Sequence, residues 1–254
     1  MAFWDPILSS GMGFLMGWSL PLNPLVAVTI LTLLISVMVV LIYKFTTNQN
    51  LMKQLKDEMK ALQAEMKQLR DKPEQALEVQ KKAMETNMKY MMQSFKATFF
   101  TLIPIILIFG YMNAHWAFEP THLNEEFTVD IMAKQAGTVV TAWPPAGIQL
   151  TSDPEKPVAD GKAIFTFKAV QEGMQVIDFK ADNNDYNVSV YVGNERQYEP
   201  VNQPFTYGPL SQATVGLKKL IVLNLFGWQL GWLGTYILMS IVFSMILRKL
   251  LKVY

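Results

Sequence analysis

Three stretches of this chain are apolar with no charged residue, and between the first two lies a stretch where charge alternates with a helical stripe of Leu and Met. From Pro6 to Tyr43 no side chain is charged, and Pro24 to Tyr43 is a Leu-, Val- and Ile-rich run of about 20 residues, enough for a helix to cross roughly 30 Å of hydrocarbon. Ala97 to Trp116 is a second such run, with Pro104 inside it. Leu220 to Leu247 is a third, about 28 residues long and able to span with tilt or overhang. Charge-free runs of this length are rare in soluble cores, so the pattern predicts three membrane-spanning helices.

The insert from Lys44 to Lys96 has a different texture. Leu51, Leu55, Met59, Leu62, Met66 and Leu69 recur at steps of four and three, the stripe of a helix seeking a partner. Lys53, Lys56, Asp57, Lys60 and Lys67 fall off that stripe. Asp71-Lys72-Pro73-Glu74 reads as a turn, with Asp71 placed to cap the next helix and Pro73 tolerated in its first turn. A second helix then carries Leu77, Met84, Met88, Met91 and Phe95 back to the second span. The expectation is an antiparallel coiled-coil hairpin whose first arm is about 40 Å long at 1.5 Å per residue. Seven of the 16 methionines lie here: Met52, Met59, Met66, Met84, Met88, Met91 and Met92. Unbranched and polarisable, they suit either the seam of the coil or a surface that accepts varied apolar partners.

Between the second and third spans the texture changes again. Phe127 to Met132, Thr138 to Ala142, Ile164 to Ala169, Val176 to Ala181 and Asn187 to Val192 are β-type runs, several with period-two alternation. Trp143-Pro144-Pro145, Asp160-Gly161 and Asp182-Asn183-Asn184-Asp185 punctuate them. A small β-sandwich fits this spacing. Asn187-Val188-Ser189 matches a glycosylation sequon on a predicted strand.

Charge gives the expected orientation. The insert Lys44 to Lys96 holds 11 Lys and Arg against 7 Asp and Glu, Asn113 to Val215 holds 6 against 13, and Gly216 to Tyr254 holds 5 against none. Basic loops stay inside, so the hairpin and the Arg248, Lys249, Lys252 tail are expected in the cytoplasm and the acidic β region outside, with the N-terminus out. Met1 to Ser19 lacks the basic start of a cleavable signal. Phe3, Trp4, Ile7, Leu8, Phe14 and Trp18 suit a short helix lying in the outer interface. Lys218 and Lys219 run against the charge rule at the start of the third run, and snorkelling to headgroups accounts for them. The expected organisation is therefore an outer interfacial segment at 1–23, spans at 24–43 and 97–116 flanking the hairpin at 44–96, a β domain at 117–215, and the third span with its basic tail at 216–254.

The absence of cysteine excludes disulfides, thiolate metal sites and a cysteine nucleophile. His115 and His122 have no second ligand cluster nearby, and no phosphate loop, nucleophile elbow or intramembrane His-Glu pair is present. The chain reads as a non-enzyme with no cofactor and no metal. Polar residues within the spans fall on shared faces. These are Thr29, Thr32 and Ser36 in the first, Thr98 and Thr101 in the second, and Ser240 and Ser244 in the third. Two roles fit them, helix packing or the lining of a partly hydrated groove that a loosened backbone at Pro104 would widen.

The layout, with Leu41-Ile42-Tyr43-Lys44 leading into Asn48 to Arg70, Thr101-Leu102-Ile103-Pro104, and Gly231-Trp232-Leu233-Gly234 running through Ser240 and Ser244 to Leu247-Arg248-Lys249-Leu250-Leu251-Lys252, resembles the archaeal branch of the YidC/Oxa/Alb membrane protein insertases. That group is related to the third subunit of the endoplasmic-reticulum membrane complex. The resemblance covers roughly Pro21 to Phe118 and Gly216 to Tyr254. It implies a plasma-membrane insertase or chaperone that passes client segments into the bilayer through a polar groove open to the cytoplasm, lined by the seven hydroxyl residues. Met84, Met88, Met91, Met92, Lys81 and Lys82 would contact the client or the ribosome. Nascent membrane proteins, the ribosome, the lipid bilayer and a small membrane-protein partner are the implied partners. Bacterial members carry a lone arginine in the groove; no span here has a charge between its ends, so a mechanism resting on that charge does not transfer. The alternative from the residues alone is a membrane-anchored receptor or scaffold with an external ligand-binding β domain.

Overall fold

The computed structural model describes residues 5–69 and 71–253, with the backbone alone for 5–10. Helix α1 covers Asp5–Met16 and is followed by a 3-10 turn at Gly17–Ser19. Phe14 is 89% exposed and Trp18 44%; of the other aromatics expected on this interfacial helix, Phe3 and Trp4 lie outside the described residues.

Helix α2, Pro24–Thr46, starts where Asn23 accepts a hydrogen bond from the Leu25 N–H at 3.0 Å and Pro24 fixes the first helical position. Thr47 breaks it, and Asn48 caps α3, Gln49–Gln68, by accepting from the Leu51 N–H at 3.1 Å. After α3 the chain leads into α4, Pro73–Trp116, one 44-residue helix. Pro73 is its first residue, which makes Lys72 the cap rather than Asp71, because proline at that position sets the start of the helix. α4 also runs through Pro104 without interruption.

α3 and the first half of α4 pair as a helical hairpin, through a face of α4 other than its most apolar one. Met52, Leu55 and Leu62 of α3 are buried, as the α3 stripe predicts, although Met52 lies deeper than Leu51. On α4 the buried positions are Val79, Thr86 and Ala97, and the Thr86 hydroxyl donates to Glu58 Oε1 at 3.1 Å. The expected stripe of Leu77, Met84, Met88, Met91 and Phe95 is exposed, from 44% at Met91 to 66% at Met84. The buried positions of α4 in the hairpin are thus the smaller or branched Val79, Thr86 and Ala97, while its methionines stay at the surface.

The β domain contains strands β1 Glu126–Ala133, β2 Val139–Trp143, β3 Ile148–Leu150, β4 Glu155–Pro157, β5 Lys162–Ala169, β6 Gly173–Ala181, β7 Asn184–Val192, β8 Asn202–Pro204 and β9 Leu210–Val215. They form one sheet in the order β3-β5-β1-β9-β8 and another in the order β4-β2-β6-β7, with every pairing antiparallel. All five long runs predicted from alternation are strands. Asp182 and Asn183, both at positive φ, form the two-residue turn between β6 and β7, the geometry that Asp and Asn tolerate best. Phe127, Val129, Phe165 and Phe167 from the first sheet share one core with Val140, Ile177, Phe179 and Val188 from the second. Phe165 and Phe179 meet edge to face at 5.4 Å.

Strands β10, Leu223–Leu225, and β11, Trp228–Leu230, form a separate two-stranded hairpin before α5, Trp232–Leu250. The third helix therefore begins at Trp232, not at Leu220. Phe226 and Gly227, both at positive φ, fold 220–231 back on itself. Lys218 does not snorkel from a helix end: its ammonium pairs with the Glu125 carboxylate. The chain divides into a helical unit, Asn23–Gly110 with the residues from Leu233 onward, and a unit holding Tyr111–Trp232 with Gly13–Leu22. Three helices, α2, α4 and α5, are long and apolar enough to cross a membrane.

Candidate functional site

The hydroxyl residues of the spans separate into three groups. Thr32 and Ser36 on α2 and Thr101 on α4 are buried, at 0%, 3% and 7% exposure. Thr32 donates to the Val28 carbonyl at 2.6 Å and Thr101 to the Thr98 carbonyl at 2.9 Å. Ser36 Oγ has no hydrogen-bond partner among the described residues. Thr29, Ser240 and Ser244 are half-buried, with Ser240 donating to the Ile237 carbonyl at 3.0 Å, and Thr98 is exposed.

Ser36 and Thr101 belong to one seam. Val40, Tyr43, Met52, Ala97 and Val253 form a buried cluster, with Tyr90, Leu247 and Leu251 packed against it. Ser36 lies one turn before Val40 on α2, and Thr101 one turn after Ala97 on α4. The two helices run in opposite directions, so both hydroxyls sit one turn further along the same interface. At the hairpin end the seam is closed by the Tyr43 hydroxyl, 3.1 Å from Ser94 Oγ, and by the Arg248 guanidinium over the Tyr43 ring at 4.9 Å. Thr32, Ser36 and Thr101 are buried, and none of them lines the hollows at Phe100 and at Met88.

Two hollows in the helical unit are largely apolar. A cleft of about 590 Å³ is lined by Leu34, Val37, Met38, Leu41, Phe45 and Phe100, among others. Phe45 at its rim is 81% exposed. A second, of about 250 Å³, lies between the arms of the hairpin, where Leu51 and Leu55 face Met88, Lys89, Met92 and Gln93. Met88 and Met92 lie one turn apart on α4, whereas Phe100, twelve residues beyond Met88, is rotated by about 120° from it around the helix, so the two hollows open on different sides of α4. Exposed Met84, Met91, Phe95 and Phe99 extend this apolar surface, and Lys81 and Lys82 stand exposed beside it. Of these lining residues, the α2 set and Phe100 were not singled out from the sequence. The available signal was Phe45, an aromatic placed just beyond Lys44 where a span should already have ended.

In the other unit the last turn of α4 is held by polar contacts. Arg196 donates to the Leu20 and Leu22 carbonyls at 2.9 and 3.2 Å while its guanidinium covers the Trp116 ring at 4.5 Å. His115 Nδ1 lies 2.7 Å from the Arg196 carbonyl, and the Tyr198 hydroxyl donates to the Asn113 carbonyl. Burial lowers the Arg196 pKa and pushes Tyr198 up to about 12. His122 Nδ1 lies 3.2 Å from Asn194 Oδ1.

No curated protein matches the chain. It is weakly similar to two solved structures of the S-layer protein SbsC. Domains 5-6 align at 18% identity over 34% of this chain and 43% of that one, with a TM-score of 0.24, and domains 4 and 5 at 17% over 30% and 47%, with a TM-score of 0.23. The chain spans less than half the length of either, and a likeness at this level carries no argument. The family model for integral membrane proteins of the EMC3/TMCO1-like type matches residues 13–143. That match takes in α2, the whole hairpin, α4 and the first strands of the β domain, just over half of the sequence, so the chain belongs to the EMC3/TMCO1-like family of integral membrane proteins, which is linked to membrane protein insertion.

Proposed function

We propose that this protein is a membrane protein insertase or chaperone of the YidC/Oxa/Alb kind, N-terminus out and C-terminus in, whose hairpin is a cytoplasmic coiled coil and whose β domain is an external sandwich. It receives nascent membrane proteins and releases their apolar helices sideways into the plasma membrane, acting at the ribosome and with a small membrane-protein partner where a client requires one. The observation that carries this reading is the exposed Met and Phe side of α4 from Met84 to Phe99, with an apolar cleft at Phe100 nearby on the same helix. Burying one such side chain is worth about 1.5–3 kcal/mol, so a client helix laid along Met84, Met88, Met91 and Met92 gains several contacts of that size before it meets lipid.

The hydroxyl seam supplies the polar half of the mechanism. An unpaired polar group costs several kcal/mol in hydrocarbon, and Ser36 Oγ is a buried group without a hydrogen-bond partner among the described residues. When the seam opens, Ser36, Thr101 and Thr32 offer hydrogen bonds to the hydrophilic flank of the client. Partition of the client's helix into lipid drives the step, with no nucleotide required. The hairpin carries 11 basic against 7 acidic residues, and its attraction to ribosomal RNA weakens with salt.

Photo-crosslinkers at Ser36, Thr101 and Met91, with ribosome-bound nascent chains carrying one short membrane helix as target, test the proposal. Crosslinks from all three positions are the expected result; silence from all three in membrane-integrated protein overturns it. The double substitution Ser36→Ala with Thr101→Val, which removes both hydroxyls without adding volume to the seam, is expected to leave the protein folded and impair insertion, and normal insertion by that variant would sink the polar seam.

A further inference from the structure

The hairpin β10–β11 is the feature that membrane crossing and client handling leave unused. No charged residue occurs between Leu220 and Leu247, yet only Trp232–Leu250 is helical. The preceding 12 residues form a hairpin whose strands pair with each other and with no other named strand. A lone two-stranded hairpin is marginally stable in water. This one also carries Phe226 at its tip, 99% exposed, with Trp228 at 72%, Ile221 at 44% and Leu225 at 40%.

Its base is stitched to the chain that leaves α4. Phe118 and Lys219 form an antiparallel bridge, the Glu119 N–H donates to the Lys218 carbonyl at 2.8 Å, and the Leu220 N–H donates to the Ala117 carbonyl at 3.1 Å. Residues 117–119 lead away from the end of the spanning helix. Their antiparallel partner 218–220 therefore runs back toward Trp116, the last residue of α4. From Leu220 to Phe226 the chain reaches up to about 20 Å at 3.3 Å per residue, further than the headgroup layer is thick. Beyond β11, Gly231 alone separates the hairpin from α5.

The turn itself carries a cost that the tip residue explains. Phe226 has φ 51° and Gly227 φ 94°. A two-residue turn of this kind ordinarily takes Asn, Asp or Gly at its first position, because a bulky side chain rarely adopts positive φ. Asn224 Oδ1 accepts from the Gly227 N–H at 3.1 Å and steadies the turn. Phenylalanine is a poor choice for the turn and a good one for an apolar medium.

We infer that the hairpin 220–231 is an interfacial anchor whose Phe226 and Trp228 insert into the leaflet on the β-domain side, fixing the depth at which the third span starts. The occupant of its apolar surface is lipid at the level of headgroups and upper acyl chains, where Trp and Phe side chains partition. The anchor is continuous with the spanning helix, and its uncharged sequence fits hydrocarbon better than an acidic or basic protein partner.

The chain has no cysteine, so Gln229→Cys carries a single environment-sensitive fluorophore, and Asp182→Cys, on the turn between β6 and β7, provides an exposed reference. Both are measured in full-length protein in phosphatidylcholine–phosphatidylglycerol vesicles, with brominated lipid and with iodide on both faces. The expected result at 229 is strong quenching by bromolipid and iodide quenching several-fold weaker than at 182. Both effects reverse when Phe226→Asn and Trp228→Gln are added. Asn-Gly is the favoured pair for this turn, so the hairpin persists in that variant, and an unchanged thermal melt verifies it. Iodide quenching at 229 equal to that at 182 overturns the inference. So does a label shielded from both quenchers, which would mean that protein covers the hairpin, and so does bromolipid quenching that survives the double substitution.

Discussion

The β domain and the helical unit treat the same kinds of side chain in opposite ways. Phe165, Phe167, Phe179 and Val188 are fully enclosed between two sheets, and the domain coheres by packing with no disulfide. The helices display theirs: Ile106 is 58% exposed and Met245 63% on spans, and Met84 and Met88 are 66% and 61% exposed on the hairpin. Lipid covers the first pair. The second pair lies on α4, the same continuous helix as Ile106, but in a stretch interspersed with Lys81, Lys82, Glu85 and Lys89. One helix thus carries two kinds of exposed apolar surface, one in a charge-free stretch and one interspersed with charge.

Substitutions that put the two surfaces through the same test sharpen this contrast. The largest effect belongs to the enclosed region: Phe179→Ala is expected to cost about 3–5 kcal/mol, read as a lower melting temperature of the β domain with the helical signal unchanged. Next is Ile106→Arg, which places a charge in a spanning stretch and should cost about 2.5–3.5 kcal/mol of membrane insertion, measured by glycosylation mapping of the second span. Met88→Arg places the same charge 18 residues earlier on the same helix and should change stability by no more than about 0.5 kcal/mol while lowering client crosslinking at Met91. Equal membrane costs for the two arginines would erase the distinction between the surfaces.

What the sequence reveals of this arrangement follows from how unambiguous each signal is. Charge-free runs locate α2 and the second half of α4, because nothing but a span needs them. The same signal misplaces the start of the third helix, since an apolar run looks alike as strand and helix. Asn224 and Phe226-Gly227 were the local clue to the turn. The hairpin's turn is legible from Pro73, but the buried face of α4 is not. Leu77, Met84 and Met88 make the more hydrophobic stripe, yet the fit against α3 selects the one with Val79, Thr86 and Ala97. In the β domain, long alternating strands are readable, whereas β3, β4 and β8 are three-residue edge strands and β9 is diluted by Ser211, Gln212 and Thr214. Ser36 could be assigned to a polar face from spacing alone. Whether that face is open or packed depends on the neighbouring helices, which spacing does not encode.

The smallest expected effect lies at the edge of the enclosed region, in the Glu125–Lys218 pair. Burial acts to raise the Glu125 pKa, but the Lys218 ammonium and the His122 N–H outweigh it and hold the carboxyl below its ordinary 4.5. The hydrogen bond to Glu125 in turn raises Lys218. A depressed carboxylate contributes stability that is present above its unfolded value and lost as pH falls through the folded one. A raised lysine contributes stability that is present below its unfolded value and lost as pH rises through the folded one. The pair therefore stabilises the domain across neutral pH and fails at both extremes. Because the Lys218 side chain is 69% exposed, solvent screening keeps the gain small. Lys218→Met should lower the melting temperature slightly at pH 7 and by less at a pH low enough to protonate Glu125 in the folded protein. An equal loss at both pH values would assign the role of Lys218 to the packing of its aliphatic stem, and the charge would then contribute nothing to the enclosed side of the comparison.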